Sequence, residues 1–391
     1  MKTIHRTYKF EIKPTKELVV LLNKHFGASR WVYNHFLNEH KEQYQAKKKS
    51  DNYYVQAKSL TELKKQEETI WLKEVNSQML QFALRCLDTA YLNFFRDNAK
   101  FPRFKSKKKK NSFTVPQHAR LEDGRIYVPK FKEGIKVIVH REVKGDIGKC
   151  TFFKTPTGRY FVSVLTEEQY QPKEKTGALC GIDVGLKDFA ITSDGVKFKN
   201  HKHTKKYERE LAKAQKHLSR KQKGSNSFER QRRKVAKIHE KITNTRTDNL
   251  HKVTHQLVSD YDIIALEDLN VKDMMSNHKL AKHITDASWG AFVRFLEYKA
   301  DWNDKQVVKI NRFYPSSKTC SVCGWINQDL NLSVREWTCP SCNSEHDRDK
   351  NSAMNILNEG LKIIGAGLSD NTGGDGIRLG NKQLSAKPEA H

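Results

Sequence analysis

Apolar and polar residues alternate from Ile4 to Ile12 (IHRTYKFEI), which predicts a strand that Pro14 closes. From about Lys16 to Phe95 the period changes to that of a helix, with polar breaks near Lys47–Asp51. Leu80, Leu84, Leu87, Tyr91 and Phe95 recur at spacings of three and four and form one predicted core-facing stripe. From Ser112 to Thr166 the runs RIYVP, IKVIVH, CTFFKT and RYFVSVL alternate again, separated by turns such as Thr157-Gly158. They predict a small antiparallel β-domain, a barrel that includes the N-terminal strand.

A second pattern begins at Ala178. ALCGIDVG, DFAITSDG and YDIIALEDL read as buried strands, SWGAFVRFLEYKA as a helix and VVKINRFYP as a further strand. Residues 204–259 form a long helical pair broken at Lys223–Asn226. NSAMNILNEGLKII predicts a last helix, and the Gly, Ser, Asp and Asn-rich remainder predicts a disordered tail.

Charge narrows the function. The 391 residues carry 72 Lys and Arg against 45 Asp and Glu, a net charge of +27, which calls for a polyanionic partner such as nucleic acid. Residues 201–250 alone hold ten Lys and six Arg against five acids, the composition of a phosphate-facing wall. No apolar run reaches the roughly 18 to 20 residues of a spanning helix, and the N-terminus has no apolar signal core. In FPRFKSKKKK, aromatic and basic residues interleave, so Arg103, Lys105, Lys107, Lys108, Lys109 and Lys110 are candidate nucleic-acid contacts. Ser77, Gln78 and Gln81, grouped at the start of a predicted helix, offer the hydrogen bonds that base reading needs.

Four of the seven cysteines form two C-x-x-C pairs, Cys320/Cys323 and Cys339/Cys342, with fifteen residues between them. This spacing points to a closed, structural zinc site; His346 is a spare. The stretch between the pairs, WINQDLNLSVREWT, reads as a hairpin. Cys86, Cys150 and Cys180 stand singly, as core residues of a reducing compartment.

Three carboxylates stand out. Asp183 lies in a buried strand, Glu267 ends the apolar run IIAL, and Asp349 precedes the last helix. Buried acids need a counter-charge, and a pair of Mg²⁺ ions would supply it while activating water against a phosphodiester. Asp188, Asp262, Asp268 and Asp347 are nearby competitors; Asp262 and Asp268 flank their strand and are expected to face solvent or cap it.

GIDVGLKDFAITSDG, IIALEDLNV, YPSSKTCSVCG and CPSCNSEHDRDKNSAMNI resemble the RuvC-type segments and zinc knuckle of the TnpB/OrfB family of insertion sequences, relatives of type V CRISPR effectors. RWVYNHFLNEH, VNSQMLQFALRCLDTAYLNFF and FPRFKSKKKKNSF resemble its N-terminal lobe. The resemblance implies an α/β chain: an RNase H-like (RuvC) nuclease domain with an inserted zinc ribbon, joined to an α-helical recognition lobe and a small antiparallel β-barrel. The expected parts are barrel strand 1–15, helical domain 16–98, barrel remainder 99–172, nuclease 178–317, zinc insert 318–345, final nuclease segment 346–365 and tail 366–391. It implies an RNA-guided DNA endonuclease with a guide RNA from the transposon end, a double-stranded DNA target beside a short flanking motif, and Asp183, Glu267 and Asp349 as catalytic ligands of Mg²⁺. The expected setting is the bacterial cytoplasm, at the nucleoid, with no membrane or obligate protein partner. A transposase working without RNA and a non-cleaving RNA-guided repressor are the alternatives.

Overall fold

The computed structural model describes residues 1–48, 51–108, 111–331 and 333–369. The chain divides into two compact units, Met1–Gln171 with Leu211–Glu240, and Pro172–Glu210 with Lys241–His391.

The first unit starts with β1 (Lys2–Lys13), whose alternation buries Ile4, Tyr8, Phe10 and Ile12. Thr15 accepts a hydrogen bond from the Leu18 N–H and so starts α1 (Lys16–Lys47). Asn52 caps α2 (Tyr53–Leu63) in the same way; a 3-10 helix (Glu67–Glu74) follows, and Asn76 caps α3 (Ser77–Phe95). The predicted α3 stripe is buried at Leu80, Leu84, Leu87 and Tyr91, but Phe95 is 68% exposed. The helix ends at Arg96, so its last turn overruns the core and Phe95 rests on Phe94 and Tyr91 at the rim.

Six further strands are β2 (Asn111–Val115), β3 (Arg120–Glu122), β4 (Arg125–Val128), β5 (Phe131–Ile138), β6 (Asp146–Lys154) and β7 (Tyr160–Tyr170). They join β1 in one antiparallel sheet of order β2-β6-β7-β1-β5-β4-β3. The N-terminal strand thus lies inside this sheet, as its alternation predicts. The ladder runs from β2 to β3, and these two end strands are not paired with each other among the described residues.

The second unit holds β8 (Leu179–Val184), β9 (Asp188–Thr192), β10 (Lys197–Lys199), β11 (Ile263–Glu267) and β12 (Gln306–Ile310) in the order β10-β9-β8-β11-β12. The first three are antiparallel, whereas β8, β11 and β12 are parallel. Between β10 and β11 the chain forms α4 (His203–Lys206), α5 (Glu208–Ser219) and α6 (Asn226–Asp260), so the basic helical pair is present, its distal part grouped with the first unit. Next come α7 (Val271–Met274), α8 (His278–Ala287) and α9 (Trp289–Trp302) before β12. A two-stranded sheet, β13 (Glu336–Thr338) and β14 (Glu345–Asp347), leads directly into α10 (Arg348–Ser369). The helix therefore passes the expected boundary at 366; residues 370–391 lie outside the described residues.

Helix α10 lies close against the sheet. A Cβ at Gly181 would sit 1.9 Å from the Ala353 carbonyl oxygen, and one at Gly360 would sit 2.6 Å from the Ala265 Cβ. Only glycine admits this approach of helix to strand. Asp262 is buried rather than solvent-facing. It is ion-paired at 3.0 Å with Lys305 and accepts from the Gly177 N–H, which fixes the entry to β11. Asp268 is half-buried and pairs with Arg312 at 2.8 Å.

Candidate active site and metal centre

The parallel register of β8 and β11 matches Ile182 with Leu266, so Asp183 and Glu267 come next along adjacent strands. Alternation places Asp183 on the face of Gly181, and Glu267 on the face of Ala265. Both of those residues touch α10, so the two acids project on the side that α10 covers. Asp349 stands in the first turn of α10. All three line one cavity of about 370 Å³, together with Trp289, Ser316, Arg335, Arg348 and Ser352.

Burial is the main force on Asp183, with the carboxylates of Glu267 and Asp349 adding repulsion; together they push its carboxyl up to about 8. Burial also raises Glu267, against the stabilising hydrogen bond that the Ser316 hydroxyl donates at 2.5 Å. Asp349 is engaged by Arg335, 3.1 Å away. A buried acid pushed toward its neutral form beside two others is a site short of positive charge. Three carboxylates are the donor set of a hard divalent cation. Even so, among the described residues only the four cysteines bring three or more ligand atoms together.

Asp347 has a different task. Its Oδ1 accepts from the N–H groups of Asp349 and Lys350 at 3.0 and 3.2 Å, and Oδ2 pairs with Lys197 at 2.9 Å. It caps the first turn of α10 and is not among the residues lining the cavity.

The four cysteine sulfurs lie within 4.8 Å of one another, with Cys320–Cys342 at 3.6 Å and Cys323–Cys339 at 3.7 Å. A tetrahedral zinc with bonds of about 2.3 Å sets its sulfurs about 3.8 Å apart, so the cluster fits that ion. Among the described residues the stretch between the pairs forms no ladder within itself; each C-x-x-C is itself the tip of a turn. Cys320 pairs with Trp325 and Cys339 with Ser344 through backbone N–H donors, and Gly324 (φ 78°) and Asn343 (φ 58°) supply the left-handed step. His346 is no fifth ligand by position alone: its Nε2 lies 3.1 Å from the Cys320 sulfur while its ring leans on Trp337.

Sequence reasoning missed Asn351 and Asn355, both 2% exposed. Asn351 accepts from the Ser321 N–H and donates to the Thr319 carbonyl; Asn355 donates to Thr319 and Ser316. They fasten α10 to the first zinc knuckle. Their i, i+4 spacing is the signal that was available, polar residues on the buried face of an otherwise apolar helix.

Of the candidate nucleic-acid contacts, Ser77 and Gln81 are exposed on the first turns of α3, and Ser77 accepts from Lys64. The Gln78 side-chain oxygen is buried without a hydrogen-bond partner. Arg103, Lys107 and Lys108 are exposed. Lys105 is held instead: its ammonium sits 3.7 Å from the Tyr33 ring and its backbone is clasped by Asn34. Lys109 and Lys110 lie outside the described residues.

Three family models match the chain: "Probable transposase" over residues 161–278, "Cas12f1-like, TNB domain" over 289–356 and "Helix-turn-helix domain" over 1–49. The last span holds a strand and one uninterrupted helix, α1. A Streptomyces pristinaespiralis protein named "Putative RNA-guided DNA endonuclease" is 39% identical across 97% of this chain and 93% of its own length. The chain belongs to the TnpB/OrfB family. A protein of Escherichia coli K12 named "Putative RNA-guided DNA endonuclease InsQ" is 33% identical over 93% of this chain and 94% of its own length. A solved Cas12f1 chain, from a complex with sgRNA and target DNA, shares the fold at a TM-score of 0.57 and 12% identity, covering 91% of this chain and 99% of that one. No described helix is long and apolar enough to cross a membrane.

Proposed function

We propose that this TnpB/OrfB protein is an RNA-guided DNA endonuclease whose nuclease centre is the cavity of Asp183, Glu267 and Asp349. The observation that carries the reading is the placement of these acids, from two neighbouring strands and one covering helix, around a single cavity. The strand order, antiparallel then parallel, supports an RNase H-like assignment. The names carried by the full-length relatives support RNA guidance.

Asp183, Glu267 and Asp349 would hold Mg²⁺, which supplies charge for the attacking water and the departing oxygen of a phosphodiester. The chain's own residues prepare that site. Asp183 would hold a cation as the deprotonated carboxylate. Ser316 orients Glu267, and the α10 cap and the two asparagines fix Asp349. Arg335 and Arg348 offer guanidinium groups to the phosphate. The cysteine cluster would hold a structural zinc. A guide RNA from the transposon end would select the DNA by pairing, while the protein reads a short flanking motif, with Ser77, Gln78 and Gln81 as the base-reading group and Arg103, Lys105 and Lys107–Lys110 meeting phosphates. The setting would be the bacterial cytoplasm, at the nucleoid.

Sequencing the nucleic acid that copurifies with the protein, then offering a matched duplex with Mg²⁺, tests this. A discrete RNA and guided cleavage support it. Absence of RNA favours a transposase, and guided binding without cleavage favours a repressor.

A further inference from the structure

A second cavity is remote in sequence from the acids. It measures about 690 Å³, within the range of roughly 300 to 1,000 Å³ typical of ligand pockets. One face of α1 builds its wall, with Gly27, Arg30, Trp31, Asn34 and His35 at successive helical spacings, and Trp71 from the 3-10 helix stands opposite. The other face of α1 packs the core through Leu22, Phe26, Val32 and Phe36.

Gly27 is the informative residue. It stands inside a 32-residue helix, where glycine weakens the helix relative to alanine. Here the loss has no return in packing, because a Cβ at Gly27 would meet nothing within 4 Å. Gly360 shows the contrast, since a neighbouring strand needs its space. A Cβ at Gly27 would project into the open space of the cavity. Around it stand three aromatic rings. Trp31 and His35 are stacked at 4.6 Å, and Trp71 meets Trp31 edge-on at 5.6 Å. Arg30 donates from Nη1 to the Asn111 side-chain oxygen and has further N–H donors on its guanidinium. Both polar ends of the Asn34 amide are used on Lys105, so that wall is rigid.

We infer that this cavity takes an unpaired nucleobase and its phosphate, the base extending the His35–Trp31 stack, the backbone passing close over Gly27 and Arg30 meeting the phosphate. Aromatic faces accept any unpaired base, and stacked bases in a duplex cannot enter such a pocket. The inference rests on the nucleic-acid reading above and on no step of the cleavage reaction. Two strands could supply the base, an unpaired stretch of RNA or an unwound strand of DNA.

The test uses the full chain with fluorescein-labelled single-stranded RNA and single-stranded DNA of mixed sequence, each about 20 nucleotides long. Binding is followed by anisotropy and stability by thermal unfolding. Gly27→Ala is expected to melt a few degrees higher than the parent. Gly27→Leu, which fills the opening, and His35→Ala, which shortens the stack, are each expected to weaken binding about fivefold or more. Loss confined to RNA names the RNA strand as the source, and loss confined to DNA names the unwound strand. Folded Gly27→Leu and His35→Ala proteins that bind both probes within about twofold of the parent would overturn the inference. Asp183→Ala separates the two readings: it should lose cleavage and keep this binding.

Discussion

Arg335 places one guanidinium nitrogen 3.1 Å from each carboxylate oxygen of Asp349. Arg335 leads into β13 of the zinc-binding segment, whereas Asp349 opens α10. The pair spends on an arginine the very oxygens that a metal would use. Arg335→Ala should therefore let Mg²⁺ bind at lower concentration. The readout is the Mg²⁺ dependence of the melting temperature, and an unchanged midpoint would show that the ion pair does not compete with the metal.

Asp347 and Asp349 are two residues apart and have separate tasks. Asp349→Ala should abolish cleavage and leave DNA binding intact. Asp347→Ala removes the cap of α10, which should cost about 0.5 to 2 kcal/mol while cleavage persists. Normal cutting by Asp349→Ala beside an inactive Asp347→Ala would reverse the assignment.

The proton on Asp183 links stability to pH. Its carboxyl titrates at about 8 in the folded chain and near 4 in an unfolded one. Between these values the folded state holds a proton that the unfolded state has released, so stability of the metal-free protein falls as pH rises from about 4 to about 8. Asp183→Asn removes that slope and should be more stable than the parent at pH 8, by about 1 to 3 kcal/mol. Denaturant unfolding at several pH values in a chelator decides it; parallel curves for the two proteins would refute the buried-proton account.

Metal analysis should find one zinc per chain. Cys339 is fully buried in a small cluster with Leu330 and Trp337, so Cys339→Ser should lose both the metal and that packing. Because Asn351 and Asn355 tie the first knuckle to α10, cleavage should fall with the zinc. A reduced, folded protein without zinc would end this claim.

Gln81→Ala is expected to change the flanking-motif preference, whereas neutralising Lys107 and Lys108 should weaken binding to all sequences alike, since amides can read base edges and lysines meet phosphates. A motif-selection assay in which Gln78→Ala and Gln81→Ala both keep the parental preference would place base reading elsewhere.

Period and local chemistry made much of this legible in the sequence. The alternation in Ile4–Ile12, the α3 stripe and the apolar runs ending at Asp183 and Glu267 all became the elements they predict, because burial on one face leaves its mark on the chain itself. What escaped depended on partners distant in sequence. Nothing local tells that Lys305 waits for Asp262, or that Arg335 folds back on Asp349. The single hairpin expected between the cysteine pairs gives way to pairing around each knuckle, because a C-x-x-C is a turn in its own right.

The most direct test of the central claim is cleavage of a duplex matched to the copurified RNA, by the parent and by Asp183→Asn, with Mg²⁺ and with a chelator. The account predicts cutting only by the parent, only with Mg²⁺ and only of the matched duplex, while both proteins bind it. Cutting by Asp183→Asn, or equal cutting of matched and unmatched duplexes, would contradict it.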